Sequence, residues 1–253
     1  MERSAGSRGN RSTAPSPRPP ARTPLSMRSS SLQKACATLP CASATSPNDY
    51  SRSGWRVRLL TEFGNIDLLQ RVAHRIGPLL DDLVLVGGCA IDLLVTDSEF
   101  ETARTTLDVD LIVEVASYVE YTAITRRLGE LGFRPGPEED DPICRLRSAD
   151  GLAIDLMPVD PSILGFGSRW YAVAARDPWR VELPNGASLN CISAPPLLAC
   201  KLDAFLSRGM GDFMRSDDLA DVVTVINGHE MIVAEVAGSD PTVRSFLAQE
   251  LTR

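Results

Sequence analysis

The stretch RTTLDVDLIVEV, residues 104–115, decides the fold class of this chain. From Leu107 onward, apolar and β-branched residues recur in the pattern of a buried strand. Two acids, Asp108 and Asp110, interrupt this apolar run two positions apart. Because side chains at positions i and i+2 of a strand share one face, both carboxylates are expected to project together. The sequence therefore predicts a core strand that carries a carboxylate pair.

The segments around this strand alternate between strand and helical patterns. LVLVGG (83–88) predicts a short buried strand that ends in two glycines, and CAIDLLVTD after it resumes a helical pattern. Helices are also predicted for WRVRLLTEFGNIDLLQRVAHRIGP, interrupted near Gly64, and for YVEYTAITRRLGELGF, with Gly132 as its C-cap. Such alternation is typical of a sheet covered by helices.

The second half of the chain predicts two hairpins followed by helices. ICRLR and LAIDLMPV form the first across a turn at residues 148–151, and WRVELPNGASLNCI forms the second around Asn185-Gly186. PPLLACKLDAFLSRG and SDDLADVVTVI predict two helices, of which the second begins after Ser216 and is the last strong one. The predicted fold class is α/β (α+β): a mixed sheet flanked by helices, with a helical C-terminal part.

Composition divides the chain into a tail and a body. Residues 1–52 are rich in Ser, Pro, Ala and Arg, and such a segment cannot bury enough apolar surface to offset its ordering entropy. We expect this tail to be disordered, residues 53–192 to form the α/β core, and residues 193–253 to form the helical part of the same domain. Whether the tail is a transit peptide, an RNA-contacting arm or an untranslated extension upstream of Met27 stays open.

The charge of the chain is unevenly distributed. Residues 1–56 hold nine of the 26 Lys and Arg residues and two of the 33 Asp and Glu residues. The remainder therefore holds 17 basic and 31 acidic residues, a formal net charge of −14. Because attraction to phosphates needs clustered basic residues, this body is a poor general binder of nucleic acid, although local binding or binding through metal ions remains possible.

Cysteine usage and hydropathy predict a protein of the cytoplasm. None of the six cysteines forms a CxxC pair, and with two histidines in the chain no zinc framework is visible. We therefore expect reduced thiols in a reducing compartment. No apolar run reaches the roughly 20 residues of a membrane span, so no membrane partner is expected.

A divalent cation is the simplest partner for the carboxylate pair. Two bare carboxylates in a half-buried place repel each other, and hard oxygen ligands suit Mg²⁺, which commonly completes its shell with substrate phosphates. Asp155 lies mid-strand in LAIDLMPV. If that strand lies beside 107–114, three acids form a cluster able to hold two metals for phosphoryl transfer. The structural alternative is an ordinary acidic strand end.

Other residues add to this pattern. Gly87 and Gly88 lie between a strand and a helix, where backbone N–H groups and the helix dipole favour a phosphate, although such a pair is often only a tight turn. Lys201 is the single lysine outside the tail and is either a triphosphate ligand or a solvated helix lysine. Arg208 lies two turns further along the same helix, and Asp218 and Asp221 share one face of the next helix. These four lie in KLDAFLSRG and SDDLADV.

VLVGGCAIDLL, RTTLDVDLIV, AIDLM and the pair KLDAFLSRG and SDDLADVVTVI together resemble the nucleotidyltransferase (polymerase-β-like) superfamily. Within it they most resemble the minimal toxins of the AbiEii type, over residues 60–230. The resemblance implies transfer of a nucleoside monophosphate from an NTP such as ATP to an acceptor hydroxyl. Mg²⁺ is the implied cofactor, with Mn²⁺ as a substitute. The implied acceptor is a tRNA end or a protein, and the implied partner is a cognate antitoxin.

The same resemblance assigns roles to residues of this chain. Asp108, Asp110 and Asp155 would be the catalytic metal ligands, with Asp155 also orienting or deprotonating the acceptor hydroxyl. The triphosphate and nucleotide would contact Gly87, Gly88, Lys201, Arg208 and either Asp218 or Asp221. Two departures from the family pattern are Gly88, where the family often has Ser, and a longer spacer before Asp108.

Three alternatives remain at the level of sequence. VGGCAIDLL also resembles aminoglycoside nucleotidyltransferases, and an acidic body suits a cationic small molecule. A D-x-D pair could hold the metal of a sugar-nucleotide glycosyltransferase, but that function gives Lys201 and the glycines no role. A non-catalytic binding subunit would be expected to lose a metal ligand, whereas Asp108 and Asp110 are both present.

Overall fold

The computed structural model describes residues 64–97, 104–136, 141–208 and 215–252, so the predicted disordered tail lies outside it. The described elements, in chain order, are α1 (Asn65–Ile76), a 3-10 helix (Gly77–Asp82), β1 (Leu83–Val86), α2 (Gly87–Leu94), β2 (Val109–Val113), α3 (Tyr118–Glu130), β3 (Phe133–Pro135), β4 (Arg145–Ser148), β5 (Ala153–Pro158), α4 (Tyr171–Arg176), β6 (Trp179–Glu182), β7 (Ser188–Cys191), α5 (Ala194–Arg208), α6 (Asp217–Gly228), α7 (Ile232–Gly238) and α8 (Pro241–Glu250).

Seven strands form one mixed sheet in the order β3-β4-β5-β2-β1-β7-β6. β1 and β2 pair antiparallel at its centre, while β2 with β5 and β1 with β7 pair parallel. Because central strands are covered on both faces, β1 is buried throughout and β2 is buried except at Asp110. The predicted mixed sheet flanked by helices is confirmed.

Both predicted hairpins are present. β4 and β5 pair antiparallel across the turn at residues 148–151, and β6 and β7 pair antiparallel around Asn185-Gly186. Gly186 has a φ of 82°, a conformation that glycine adopts without strain. The strand that carries Asp155 lies directly beside β2, as the cluster of three acids requires.

Two boundaries differ from the predictions, and two further helices follow the last helix that the sequence predicted strongly. Helix α2 begins at Gly87, so the glycine pair forms its first turn and not a loop before it. Strand β2 begins at Val109, which leaves Asp108 in the bend that precedes the strand. The helices α7 and α8 follow α6; their patterns are weak because α7 buries only Ile232 and α8 only two residues of one face.

The C-terminal helices hold α5 against the rest of the molecule. α5 packs against α6, α7 and α8, and α2 packs against β2 and α6. The N-cap of α6 is Ser216, as predicted, whose side chain accepts a hydrogen bond from the Leu219 N–H. This packing brings Lys201 in α5 opposite the first two turns of α6.

The described cysteines are all free thiols, namely Cys89, Cys144, Cys191 and Cys200. None of the helices in the described ranges combines the length and the apolar content that crossing a bilayer needs.

Candidate active site

The turn from β1 into α2 is built around the carboxylate of Asp110. Gly87 has a φ of 71°, and a Cβ placed on it would lie 1.9 Å from Oδ2 of Asp110. Glycine is therefore required at this position for both backbone conformation and space. The backbone N–H of Gly88 donates a hydrogen bond to Asp110. One of the N–H groups predicted to face a phosphate thus already holds a carboxylate.

The second glycine makes room for a threonine. A Cβ on Gly88 would lie 2.3 Å from the Cγ2 methyl of Thr106. The Thr106 hydroxyl lies 3.1 Å from the Cys89 sulfur and donates to the Asp108 carbonyl at 3.1 Å. A side chain at residue 88 would therefore collide with Thr106 unless one of them moved.

A buried amide fixes the segment that enters β2. Asn65, the first residue of α1, donates to Asp92 Oδ2 at 2.6 Å and to the Arg104 carbonyl at 3.0 Å. Its Oδ1 accepts from the Thr106 N–H at 2.8 Å. Because a buried polar side chain is costly unless it is hydrogen bonded, these bonds fix the segment 104–106 against two helices. The backbone before Asp108 is thereby held in place.

The three predicted acids converge at the centre of the sheet. Asp110 and Asp155 are direct register partners of the parallel strands β2 and β5, so their side chains project from the same face. Asp108 lies in the bend just before them. Burial, followed by the charges of Asp108 and Asp155, raises the pKa of Asp110 to about 7. The cluster therefore carries more negative charge than its protein surroundings neutralise.

Arg145, which the sequence analysis did not single out, joins two of these acids. Its guanidinium binds Asp155 through two bonds, Nε to Oδ1 at 2.7 Å and Nη2 to Oδ2 at 2.8 Å. Its Nη2 also forms a hydrogen bond with Oδ2 of Asp108. The structure pairs residue 145 with residue 155 across the hairpin. A four-residue turn at 148–151 would instead pair residue 145 with residue 154, so the predicted turn did not reveal this contact.

Lys201 forms ion pairs with Asp218 and Asp221, the two late acids of the chain's candidate site. Its Nζ lies 2.7 Å from Asp221 Oδ2 and 3.2 Å from Asp218 Oδ1, and its side chain is 12% exposed. Burial alone would lower the pKa of Lys201, but the two carboxylates outweigh burial and raise it. The same ammonium lowers the pKa of Asp110 through its charge, which places it near the carboxylate cluster.

The two late acids differ in their surroundings. The Asp221 side chain is 4% exposed and also contacts Arg104 Nε at 3.4 Å, so it anchors two cations. The Asp218 side chain is 21% exposed and lies 3.3 Å from the largely exposed Arg208. Asp221 is therefore the buried anchor of Lys201, whereas Asp218 lies at the outer side of the ion-pair cluster.

The donor set of the central cluster fits a hard divalent cation between Asp108 and Asp110. These oxygens are the ligands that Mg²⁺ prefers, and a cation there would relieve the repulsion that raises the Asp110 pKa. Among the described residues, no group of three or more His, Cys, Asp or Glu side chains is arranged to hold a metal. Arg145 contacts both oxygens of Asp155 and one oxygen of Asp108.

This chain is similar to known proteins in structure but not detectably in sequence. No protein-family model matches the sequence, and no curated protein is significantly similar to it. One similar structure is an antigenic nucleotidyltransferase-like protein from Paracoccidioides brasiliensis, 17% identical over 76% of this chain and 89% of that one, with a TM-score of 0.45. The antibiotic-resistance factor ANT(2'')-Ia is 15% identical over 74% of this chain and 92% of its own, with a TM-score of 0.42. The lincosamide antibiotic adenylyltransferase LnuA is 15% identical over 66% of this chain and 99% of its own, with a TM-score of 0.37.

Proposed function

We propose that this protein is a metal-dependent nucleotidyltransferase that moves a nucleoside monophosphate from an NTP to an acceptor hydroxyl. The observation that carries the proposal is the convergence of four features within one site. Asp110 and Asp155 are register partners, Asp110 touches the glycine turn, and Lys201 lies close enough to lower the Asp110 pKa. A glycosyltransferase metal pair would not explain the glycine turn or the lysine.

Each residue has a role in this reaction. Asp108 and Asp110 would hold Mg²⁺, which would neutralise charge on the triphosphate. The ammonium of Lys201 attracts the triphosphate and exchanges part of its contact with Asp218 for phosphate oxygens. Asp155, both of whose oxygens accept hydrogen bonds from Arg145, would orient the acceptor hydroxyl through a remaining lone pair and would take up its proton. The acceptor oxygen forms a bond to the α-phosphorus as the bond to pyrophosphate breaks.

Two acceptor classes are supported by different observations. The resemblance of the motifs to AbiEii-type toxins supports a tRNA end or a protein hydroxyl, and a cognate antitoxin as partner. The formal charge of −14 outside residues 1–56 supports a small cationic acceptor of the aminoglycoside kind, because an acidic surface repels nucleic acid. In both cases the chemistry at the phosphorus is the same.

Labelling separates these possibilities. The purified protein is incubated with each α-labelled NTP and Mg²⁺, together with total tRNA, cell protein or aminoglycosides. Transfer of label to one acceptor pool supports the enzyme and names the acceptor class. If nothing is labelled and pyrophosphate is not released from any NTP, the proposed activity is wrong.

The toxin role is tested in cells. Induced expression of the chain should arrest growth, and Asp110→Asn expressed to the same level should not. Growth that is equal for both variants would contradict the toxin role without bearing on transfer to a small molecule. Resistance to a cationic antibiotic, gained with the wild-type chain and lost with Asp110→Asn, would support the second acceptor class.

A further inference from the structure

The guanidinium of Arg145 lies between two of the predicted metal ligands. Both of its bonds to Asp155 lie below 3 Å, and it also reaches Asp108 across β5. The Arg145 side chain is 20% exposed, so water screens these contacts only in part. A planar guanidinium matches a carboxylate through two parallel bonds, which makes this pairing strong and directional.

The neighbouring arginine of the same strand provides a contrast. Arg147 makes the same kind of two-bond contact, but with Asp141, at 2.8 and 3.0 Å. Asp141 lies 4.0 Å from Arg145, so it is a minor partner of Arg145. Strand β4 thus supplies two guanidinium groups on one face, of which Arg145 engages the predicted catalytic acids and Arg147 does not.

Asp110 has a different set of partners. Its carboxylate lies against Gly87 and is the register neighbour of Asp155, and among the described residues it forms no ion pair. The guanidinium of Arg145 thus contacts Asp155 and Asp108 but not Asp110. At Asp155, in contrast, a fixed cation is already present.

We propose that Arg145 is a positioning residue that serves as the permanent counter-cation of Asp155. The site then takes one divalent cation, between Asp108 and Asp110, and not two cations shared by three carboxylates. This inference rests on the proposed function, because it concerns the metal of the same site. It predicts that the arginine restricts metal binding, which is the opposite of what a purely structural residue would do.

The physical consequence is specific. Removing the guanidinium frees both oxygens of Asp155 and one oxygen of Asp108, and affinity for a hard cation rises with the number and charge of available carboxylates. Loss of a residue needed only for folding would weaken metal binding. The sign of the change therefore distinguishes the two roles.

The experiment titrates the full chain with Mn²⁺ and follows free Mn²⁺ by electron paramagnetic resonance, without nucleotide. We expect one bound ion for the wild type. Arg145→Gln should bind Mn²⁺ about tenfold more tightly and take up a second ion. Arg145→Lys keeps the charge without the two-bond geometry and should show a smaller shift of the same sign. The matched control Arg147→Gln should behave as the wild type.

Thermal unfolding provides a second readout. Without metal, Arg145→Gln should melt below the wild type because three carboxylates repel each other, and saturating Mn²⁺ should raise its melting temperature more than that of the wild type. If Arg145→Gln does not fold even with Mn²⁺, the Mn²⁺ affinity of Arg145→Lys decides. Equal or weaker Mn²⁺ binding by the folded arginine variants would overturn the inference while wild-type labelling and Mn²⁺ binding still supported the proposed function. A wild type that neither binds Mn²⁺ with NTP nor labels an acceptor would contradict the proposed function itself.

Discussion

The carboxylate cluster and the Lys201 cluster differ in how completely charge is neutralised. In the first, three acids face one guanidinium, and burial with like charges raises the pKa of Asp110 to about 7. In the second, Lys201 contacts Asp218 and Asp221 and its pKa is raised. The first region therefore favours an added cation. The second is already ion-paired, so an anion binds there only by displacing a carboxylate.

This difference between the two clusters indicates how a metal ion and a triphosphate would each bind. A metal ion between Asp108 and Asp110 would not break an ion pair of Asp110, because this carboxylate forms none among the described residues. A triphosphate at Lys201 must compete with Asp218, the more exposed of its two partners. Metal binding and phosphate binding should therefore respond to different substitutions.

The largest effect is expected for Asp110→Asn. Replacing this carboxylate removes a metal ligand at the centre of the site, and transfer of label should fall by about a thousandfold or more. The measurement is incorporation of α-labelled NTP at saturating Mg²⁺. Asp160→Asn is the control, because Asp160 lies exposed after β5 and its carboxylate accepts a hydrogen bond from the nearby Ser162 N–H. Retained activity in Asp110→Asn would contradict the assignment of Asp110.

Gly87→Ala should be the most destabilising single change at the site. Its methyl group would overlap the Asp110 carboxylate, and its φ of 71° is strained for alanine, so we expect a loss of about 2–4 kcal/mol in the free energy of unfolding. Gly186→Ala shares the positive φ but has open space around its Cβ, and should lose about 1 kcal/mol. Urea unfolding of both variants measures the difference. Equal losses would show that crowding against Asp110 is unimportant.

Substitutions of Asp218 and Asp221 should differ in their effect on the stability of the protein. Asp221→Asn leaves Lys201 and Arg104 without their buried partner and should cost about 2–3 kcal/mol in stability. Asp218→Asn removes a more exposed partner and should cost about 1 kcal/mol or less. Because it frees Lys201, Asp218→Asn should also lower the KM for NTP. A larger stability loss for Asp218→Asn would reverse the assignment of the buried anchor.

A further effect is the pH dependence of stability without metal. The pKa of Asp110 is raised from its ordinary value of 3.8 to about 7, so the native state binds a proton that the unfolded state has lost between these values. This contribution to stability therefore declines as pH rises from about 4 to 7. Asp110→Asn lacks it and should gain stability relative to the wild type over that range, which a series of Tm measurements between pH 4 and pH 8 would show. A pH-independent difference between the two would contradict the raised pKa.

Much of the site could be predicted from sequence because its signals are local. A strand that ends in two glycines, a carboxylate pair spaced by two, and a helix capped by Ser216 each depend on neighbouring residues, and each element is present. The contact of Arg145 with Asp155 could not be predicted in this way, because the turn predicted at residues 148–151 would pair residue 145 with residue 154, one position from the observed register. The roles of these residues in catalysis stay predictions.

The sequence by itself determined the elements of this protein: the strands, the glycine turn and the acids on the central strand. Only the tertiary structure decided that β5 lies parallel beside β2, which lets Arg145 reach Asp108 across 37 positions of the chain. It also decided that Asp221, which contacts both Lys201 and Arg104, is buried, whereas Asp218 on the same face of α6 lies beside the exposed Arg208. Local patterns fix which face a side chain shares with its neighbours, whereas its partners depend on which distant segment packs against that face.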